Sequence, residues 1–137
     1  MKHLFIDTNI IIDLLAERKP HSKYVIQLFN AAERNQIKLY ASSLSMATAY
    51  YILKKTTDEK ELRGILNPLL DFVQTVAIDQ SILKRALKSS HKDFEDAIQI
   101  IAASTIGQMT CIVTRNIKDF KNSDVRVLPP DQAVKLI

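Results

Sequence analysis

Short apolar runs alternate along this chain with longer stretches in which apolar residues recur every three or four positions. Leu4-Phe5-Ile6 is a continuous apolar run that stops at Asp7, the pattern of a buried strand. Residues 9–16 follow as a short helix, apolar on most sides. Pro20 punctuates the chain, Ser22 is placed to cap the next helix, and Val25, Leu28, Phe29 and Ala32 fall at helical spacing. Residues 37–41 predict a second strand, and Ser42, Ser43 and Ser45 are candidate caps of a helix running to about Lys55. Residues 58–70 predict an amphipathic helix with Leu62, Ile65, Leu66 and Leu69 on one side; Pro68 should bend or end it. Residues 72–78 read as a third strand. Asp79 can cap a helix carrying Ile82, Leu83, Ala86 and Leu87, and residues 89–92 are a loop. Residues 93–106 form a helix of small and branched side chains with Gly107 as its C-cap. Residues 110–114 and 125–128 complete the strands, and Pro129-Pro130 leads into a terminal helix.

Strands alternating with helices predict an α/β fold in three layers, α/β/α, around a central, mainly parallel sheet of about five strands. The 137 residues hold no repeat, linker or low-complexity segment, so one domain over 1–137 is expected. In such sheets ligands bind beyond the carboxyl ends of the strands. Asp7 and Thr114-Arg115-Asn116 both fall there.

Composition removes several alternatives. No apolar run approaches the roughly 18 residues of a membrane span, and MKHLFIDTN meets an aspartate too early for a secretory signal. The one cysteine, Cys111, rules out an intrachain disulfide framework and reads as a small buried hydrophobe; a cytoplasmic setting is expected. Two glycines, Gly64 and Gly107, cannot build a P-loop or a dinucleotide-binding turn. His3, His21 and His91 are scattered. Nineteen basic against fifteen acidic residues give a net charge of +4, a mild lean toward polyanions.

Three polar clusters interrupt the apolar pattern. Asp7 follows a strand directly, with Thr8 and Asn9 able to organise the turn; capping of the next helix is the plainer account. Asp93 and Asp96 are spaced to share a helix face. Acids suit a first turn, yet two carboxylates beside the apolar face of Ala97, Ala102 and Ala103 repel unless a cation or proton lies between them. Glu95 is expected to point elsewhere, into solvent. Thr114, Asn116 and Asp119 follow the fourth strand, with Phe120 anchoring the turn in the core. Oxygen donors without a His or Cys cluster suit Mg²⁺ or Mn²⁺.

The stretches FIDTNIIIDLL, ASSLSMATAYYILKK, DFEDAIQIIAA and VTRNIKDF, in this order, resemble the PIN-domain superfamily and look like its bacterial branch of VapC-type toxin ribonucleases. The resemblance covers nearly the whole chain. It implies acids gathered around one or two Mg²⁺ or Mn²⁺ ions and hydrolysis of RNA by metal-activated water. Carried over by motif, Asp7 is the first acid and Asp96 the third; Asn116 stands where a fourth acid or an Asn is found, with Asp119 nearby. One departure is clear: Thr48 occupies the place of the family's usual glutamate on the middle helix, and Asp93 is the candidate to compensate. Metal binding is therefore expected at Asp7, Asp96 and Asp93, and the catalytic set adds Asn116 and Asp119. Arg115, Lys118, Lys54, Lys55 and Lys92 are candidate phosphate contacts. The resemblance also implies the toxin of a type II pair, with an antitoxin and a homodimer as partners; Tyr40, Tyr50 and Tyr51 are read either as an exposed aromatic patch for such a partner or as core residues. Two other readings compete: a catalytically weakened, PIN-like RNA-binding protein, and a phosphatase or phosphotransferase with Asp7 as nucleophile.

Overall fold

In the computed structural model, which describes residues 1–137, five parallel strands stand in the order β3-β2-β1-β4-β5. They are β1 (Lys2–Ile6), β2 (Ile37–Ser42), β3 (Val73–Val76), β4 (Cys111–Val113) and β5 (Val127–Leu128). The helices are α1 (Thr8–Leu15), α2 (Ser22–Glu33), α3 (Ser43–Leu53), α4 (Glu59–Leu69), α5 (Gln80–Lys88), α6 (Phe94–Ser104) and α7 (Pro130–Ala133), with a 3₁₀ turn at Ile117–Phe120. β1 is central and pairs with β2 through Leu4↔Leu39 and with β4 through Phe5↔Ile112. The end of β1, where the chain leaves the sheet at Asp7, therefore has a strand end on either side.

Alternation along the strands divides the interior into two cores, because successive side chains point to opposite faces. Leu4, Ile6, Leu39, Ala41, Cys111 and Val113 pack into one core with α1, α2 and α4. Phe5, Tyr40 and Ile112 face the other, with α5 and α6. Helices thus cover both faces, which is why the central strands β1 and β4 carry unbroken apolar runs. Burial pushes the Cys111 thiol up to about 11, as expected of an inert core thiol. No helix is long and apolar enough to cross a membrane.

Two capping expectations are met: Ser42 and Asp79 each accept a backbone N–H as N-caps of α3 and α5; Asp58, read as the first residue of its helix, is instead the N-cap of α4. Others need correction. Ser22 is the first residue of α2 rather than its cap; His21 holds that position and makes no capping bond. Gly107 does not cap α6 in the left-handed conformation, since no glycine has positive φ; Thr105 ends that helix in right-handed geometry, its N–H donating to Ile101 and Ala102 while the Ile106 N–H donates to Ala103. Pro68, by contrast, falls in the last turn of α4, which ends one residue later as expected. The third, fourth and fifth strands are shorter than their apolar patterns, because ladder pairing ends at Val73–Val76, Cys111–Val113 and Val127–Leu128. The three tyrosines do not form one exposed patch. Tyr40 is 5% exposed and bonds His3 Nδ1 at 2.8 Å; the Tyr50 hydroxyl donates to Glu59 at 2.6 Å. Tyr51 alone is well exposed.

Candidate functional site

Asp7 lies one residue beyond β1, where its backbone N–H still bonds Val113 of β4. It is 6% exposed, and four donors meet its carboxylate. Thr8 N–H (2.8 Å) and the Gln99 amide (3.1 Å) donate to Oδ1. The Thr114 hydroxyl (2.7 Å) and the Asn9 amide (3.3 Å) donate to Oδ2. Asp7 is thus the N-cap of α1 and also the fixed point of a polar cluster. Thr8 and Thr114 extend that cluster in two directions. Thr8 Oγ contacts Ser45 Oγ at 2.8 Å, while Thr114 Oγ accepts the Asn116 backbone N–H at 3.1 Å. The expected turn organisers Thr8, Asn9 and Thr114 therefore all touch the same carboxylate or its neighbour.

Beneath Asp7 runs a buried network that sequence reasoning missed. Gln99 of α6 is 1% exposed. Its amide donates to Asp7 and to Ser45 Oγ (2.6 Å), and its carbonyl accepts from Ser42 Oγ (2.6 Å). No buried side-chain polar atom in the protein lacks a partner, so the network is closed and rigid. The available signal was Gln99 itself, a polar residue in the otherwise apolar stretch Ala97-Ile98-Gln99-Ile100-Ile101.

Above Asp7 opens a cavity of about 370 Å³, and its lining includes Asp7, Asn9, Thr48, Asp93, Glu95 and Asp96, together with Asn116 and Asp119. All five expected site residues, Asp7, Asp93, Asp96, Asn116 and Asp119, meet here, at the carboxyl edge of the sheet. Asp93 is the N-cap of α6, its Oδ1 accepting the Asp96 N–H at 2.9 Å. Asp96 makes no capping bond of its own, so the capping account covers Asp93 and leaves Asp96 unexplained. Thr48 is on the wall, placing the departure from the family pattern inside the cavity. Glu95 is exposed to solvent, as expected, but it does not point away, because it also lines this cavity. A larger concavity, of about 750 Å³, lies at the other ends of β2 and β3 near Lys38 and Asp71, and no comparable set of acids lines it.

The acids press on one another. Burial first, then Asp93, Asp7, Asp119 and Glu95, push the Asp96 carboxyl up to about 7. Burial, then Asp7 and Asp93, raise Glu95 as well. Crowded carboxylates that resist ionising form a place where a cation lowers the free energy. The donors are hard oxygens, which fits Mg²⁺ or Mn²⁺. No three acidic groups stand close enough to chelate one ion directly, and protein donors already occupy the lone pairs of Asp7. The arrangement therefore fits an ion that keeps much of its water, as Mg²⁺ does.

The basic residues divide into two sets. Arg115 forms the protein's one salt bridge, to Asp13 of α1, which is 0% exposed: Nε to Oδ2 at 2.6 Å and a second bond to Oδ1 at 3.1 Å. This fork commits its guanidinium to Asp13 and corrects the picture of Arg115 as a free cation. Asp13 was legible as a charge inside Ile10-Ile11-Ile12-Asp13-Leu14-Leu15, where burial demands a partner. Lys54, Lys55, Lys92 and Lys118 are exposed and in no salt bridge. Lys54 and Lys55 each lie 5.2 Å from the Tyr51 ring centroid. Lys118 stands in the 3₁₀ turn between Asn116 and Asp119 of the cavity wall.

Known proteins share this sequence pattern and fold. A ribonuclease VapC1 of Aquifex aeolicus is 27% identical over 134 residues, covering 94% of this chain and 91% of the relative. A toxin–antitoxin complex from Klebsiella pneumoniae superposes with a TM-score of 0.66 at 26% identity, covering 93% of this chain and 97% of the other. VapBC-1 from nontypeable Haemophilus influenzae shares the fold at a TM-score of 0.69 and 18% identity, over 94% and 98% of the two chains. The PIN domain family model matches residues 3–118, and this chain belongs to that family.

Proposed function

We propose that this protein is a divalent-metal-dependent endoribonuclease using Mg²⁺ or Mn²⁺, and that it is the toxin of a type II toxin–antitoxin pair in the cytoplasm. The observation that carries the reading is Asp96, a carboxyl raised to about 7 in a cavity it shares with the fourfold-bonded Asp7. The relative named as a ribonuclease and the toxin–antitoxin neighbour support the same activity and partner. A homodimer or an antitoxin complex is the resting form in this reading.

Asp7 and Asp96 would hold a divalent cation there, and Asp93 would share its charge. A bound divalent ion acidifies water for attack on phosphorus and offsets the negative charge that develops there. Asn116 and Asp119 orient the attacking water from the facing wall. Lys118, Lys54, Lys55 and Lys92 meet the flanking phosphates. Asp7 is a poor nucleophile for a phosphotransferase, because four donors already hold its two oxygens. Hydrolysis by water is the better match.

The test is cleavage of single-stranded RNA in Mn²⁺, with chelator as control. Cleavage should stop in EDTA and return with Mn²⁺. The cation must displace the proton of Asp96, so Mn²⁺ affinity by calorimetry should rise as pH increases through about 7. Cleavage that persists in EDTA would exclude the mechanism. Thr48 in the cavity wall favours one second reading, a catalytically weakened RNA-binding protein. Thr48→Glu separates the two: it should raise Mn²⁺ affinity and cleavage roughly tenfold, about 1.4 kcal/mol of added stabilisation. A parent that binds RNA but neither Mn²⁺ nor cuts, with a variant equally inert, would select the binding-protein reading.

A further inference from the structure

Beside the acidic cavity is a second concavity of about 460 Å³, with apolar walls from Leu44, Ile78, Leu83 and Ile98. Its size is in the lower part of the range for small-molecule sites, roughly 300–1,000 Å³. Glu95 lines both cavities, so they are contiguous across one side chain. Phe94 contributes the aromatic face. It opens α6 between Asp93 and Glu95, two residues of the acidic wall, and remains 44% exposed. The polar groups are few. Ser43 Oγ accepts the Ile78 N–H at 3.1 Å, leaving its own hydroxyl hydrogen to donate, and the Glu95 carboxyl can accept.

We propose that this concavity is a nucleobase subsite, in which the unstacked base next to the phosphate under attack lies against the Phe94 ring. The proposal rests on the ribonuclease reading. An unpaired base has an apolar face and a polar edge, and single-stranded RNA is recognised by stacking such faces on aromatic side chains. The concavity offers both surfaces: an aromatic and aliphatic slot, and Ser43 and Glu95 at its polar side. It contains no cation, so it suits a base rather than a phosphate. A strand whose phosphate stands over Asp7 and Asp96 must send a neighbouring base to one side, and the shared wall at Glu95 leads into this slot. A hydrophobic side chain of a protein partner would also find apolar walls there, but nothing in that partner would have to reach the acidic cavity as well.

The test uses the full-length protein in EDTA, where cleavage is off, with single-stranded RNA heptamers carrying 2-aminopurine at successive positions. One position should show stacking-induced quenching, and it should adjoin the bond cut when Mn²⁺ is added. Phe94→Ala should weaken RNA binding roughly 5- to 50-fold and abolish the quench. Phe94→Trp should retain both, whereas Phe94→Leu, which keeps an apolar side chain, should lose the quench. RNA made abasic at the quenched position should bind the parent and Phe94→Ala equally. RNA that binds and is cut normally in all three variants would overturn the subsite alone. So would a Phe94→Ala loss of equal size on abasic RNA, or a variant whose sole change is a smaller assembly by light scattering. A parent that neither binds nor cuts RNA would remove the ribonuclease reading and the subsite together.

Discussion

Asp96→Asn should abolish RNA cleavage and yield a protein that melts higher, not lower, in metal-free buffer at pH 8. The loss of activity follows from removing a charge that holds the cation; the cost is several kcal/mol of barrier, roughly 100-fold or more in rate. The gain in stability follows from the raised carboxyl. In the folded, metal-free protein Asp96 ionises near 7, against an ordinary value of 3.8. Between these values the folded chain keeps a proton that the unfolded chain has released, so stability falls as pH rises through that window. Above about 7 both states are ionised, and the folded state bears the full cost of burying the charge and of repulsion by the neighbouring acids. Asparagine carries no such charge. The shift corresponds to about 4 kcal/mol at face value, but the half-exposed carboxyl is screened by water, leaving roughly 1–2 kcal/mol. Melting curves in EDTA at pH 5 and pH 8 should show the parent and variant diverging with increasing pH. Saturating Mn²⁺ should then stabilise the parent more than the variant. A variant that melts lower at pH 8 and still cuts RNA would make Asp96 a structural residue of α6 and nothing more.

The layers of the fold were legible because they rest on periodicity. Short, largely apolar runs gave β1 and β2, and apolar repeats at helical spacing gave α2, α4 and α5. The rim position of Asp7 followed from topology, since every strand is parallel and β1 is central. What was illegible depends on partners distant in sequence. Gln99 meets Asp7 across 92 positions, and Arg115 meets Asp13 across 102; nothing local announces either bond. Glu95 is solvated as its sequence position suggests, but its place on the cavity wall depends on Asp7 and Thr48, which are distant in sequence. Tyr40 was left open between an exposed patch and the core; its strand position alternates with Leu39 and Ala41 and directs it into the core of the opposite face. Gly107 was read from residue type alone. A helix that ends in right-handed geometry needs no glycine, and that choice is invisible until the backbone is seen.

Arg115→Met should destabilise the protein by about 3–5 kcal/mol, the usual cost of leaving a buried charge without its partner. Asp13 is fully enclosed while the Arg115 side chain is 27% exposed, so the two halves of the pair are unequal. Asp13→Leu frees an arginine that can turn to water, and its cost should be smaller. The double variant, Asp13→Leu with Arg115→Met, replaces the pair with apolar side chains and should recover most of the stability. Urea denaturation of the four proteins measures each step. The same variants decide what Arg115 does for the site. It stands between Thr114, which donates to Asp7, and Asn116, which lines the cavity. If the ion pair acts as a strut for that turn, the stabilised double variant should bind RNA with the parent's salt dependence. If Arg115 also touches phosphate, the double variant will be stable yet bind more weakly, and the slope of log affinity against log salt will fall by about one. The bidentate bond to Asp13 favours the strut, because a guanidinium already forked onto one carboxylate has its best geometry spent there.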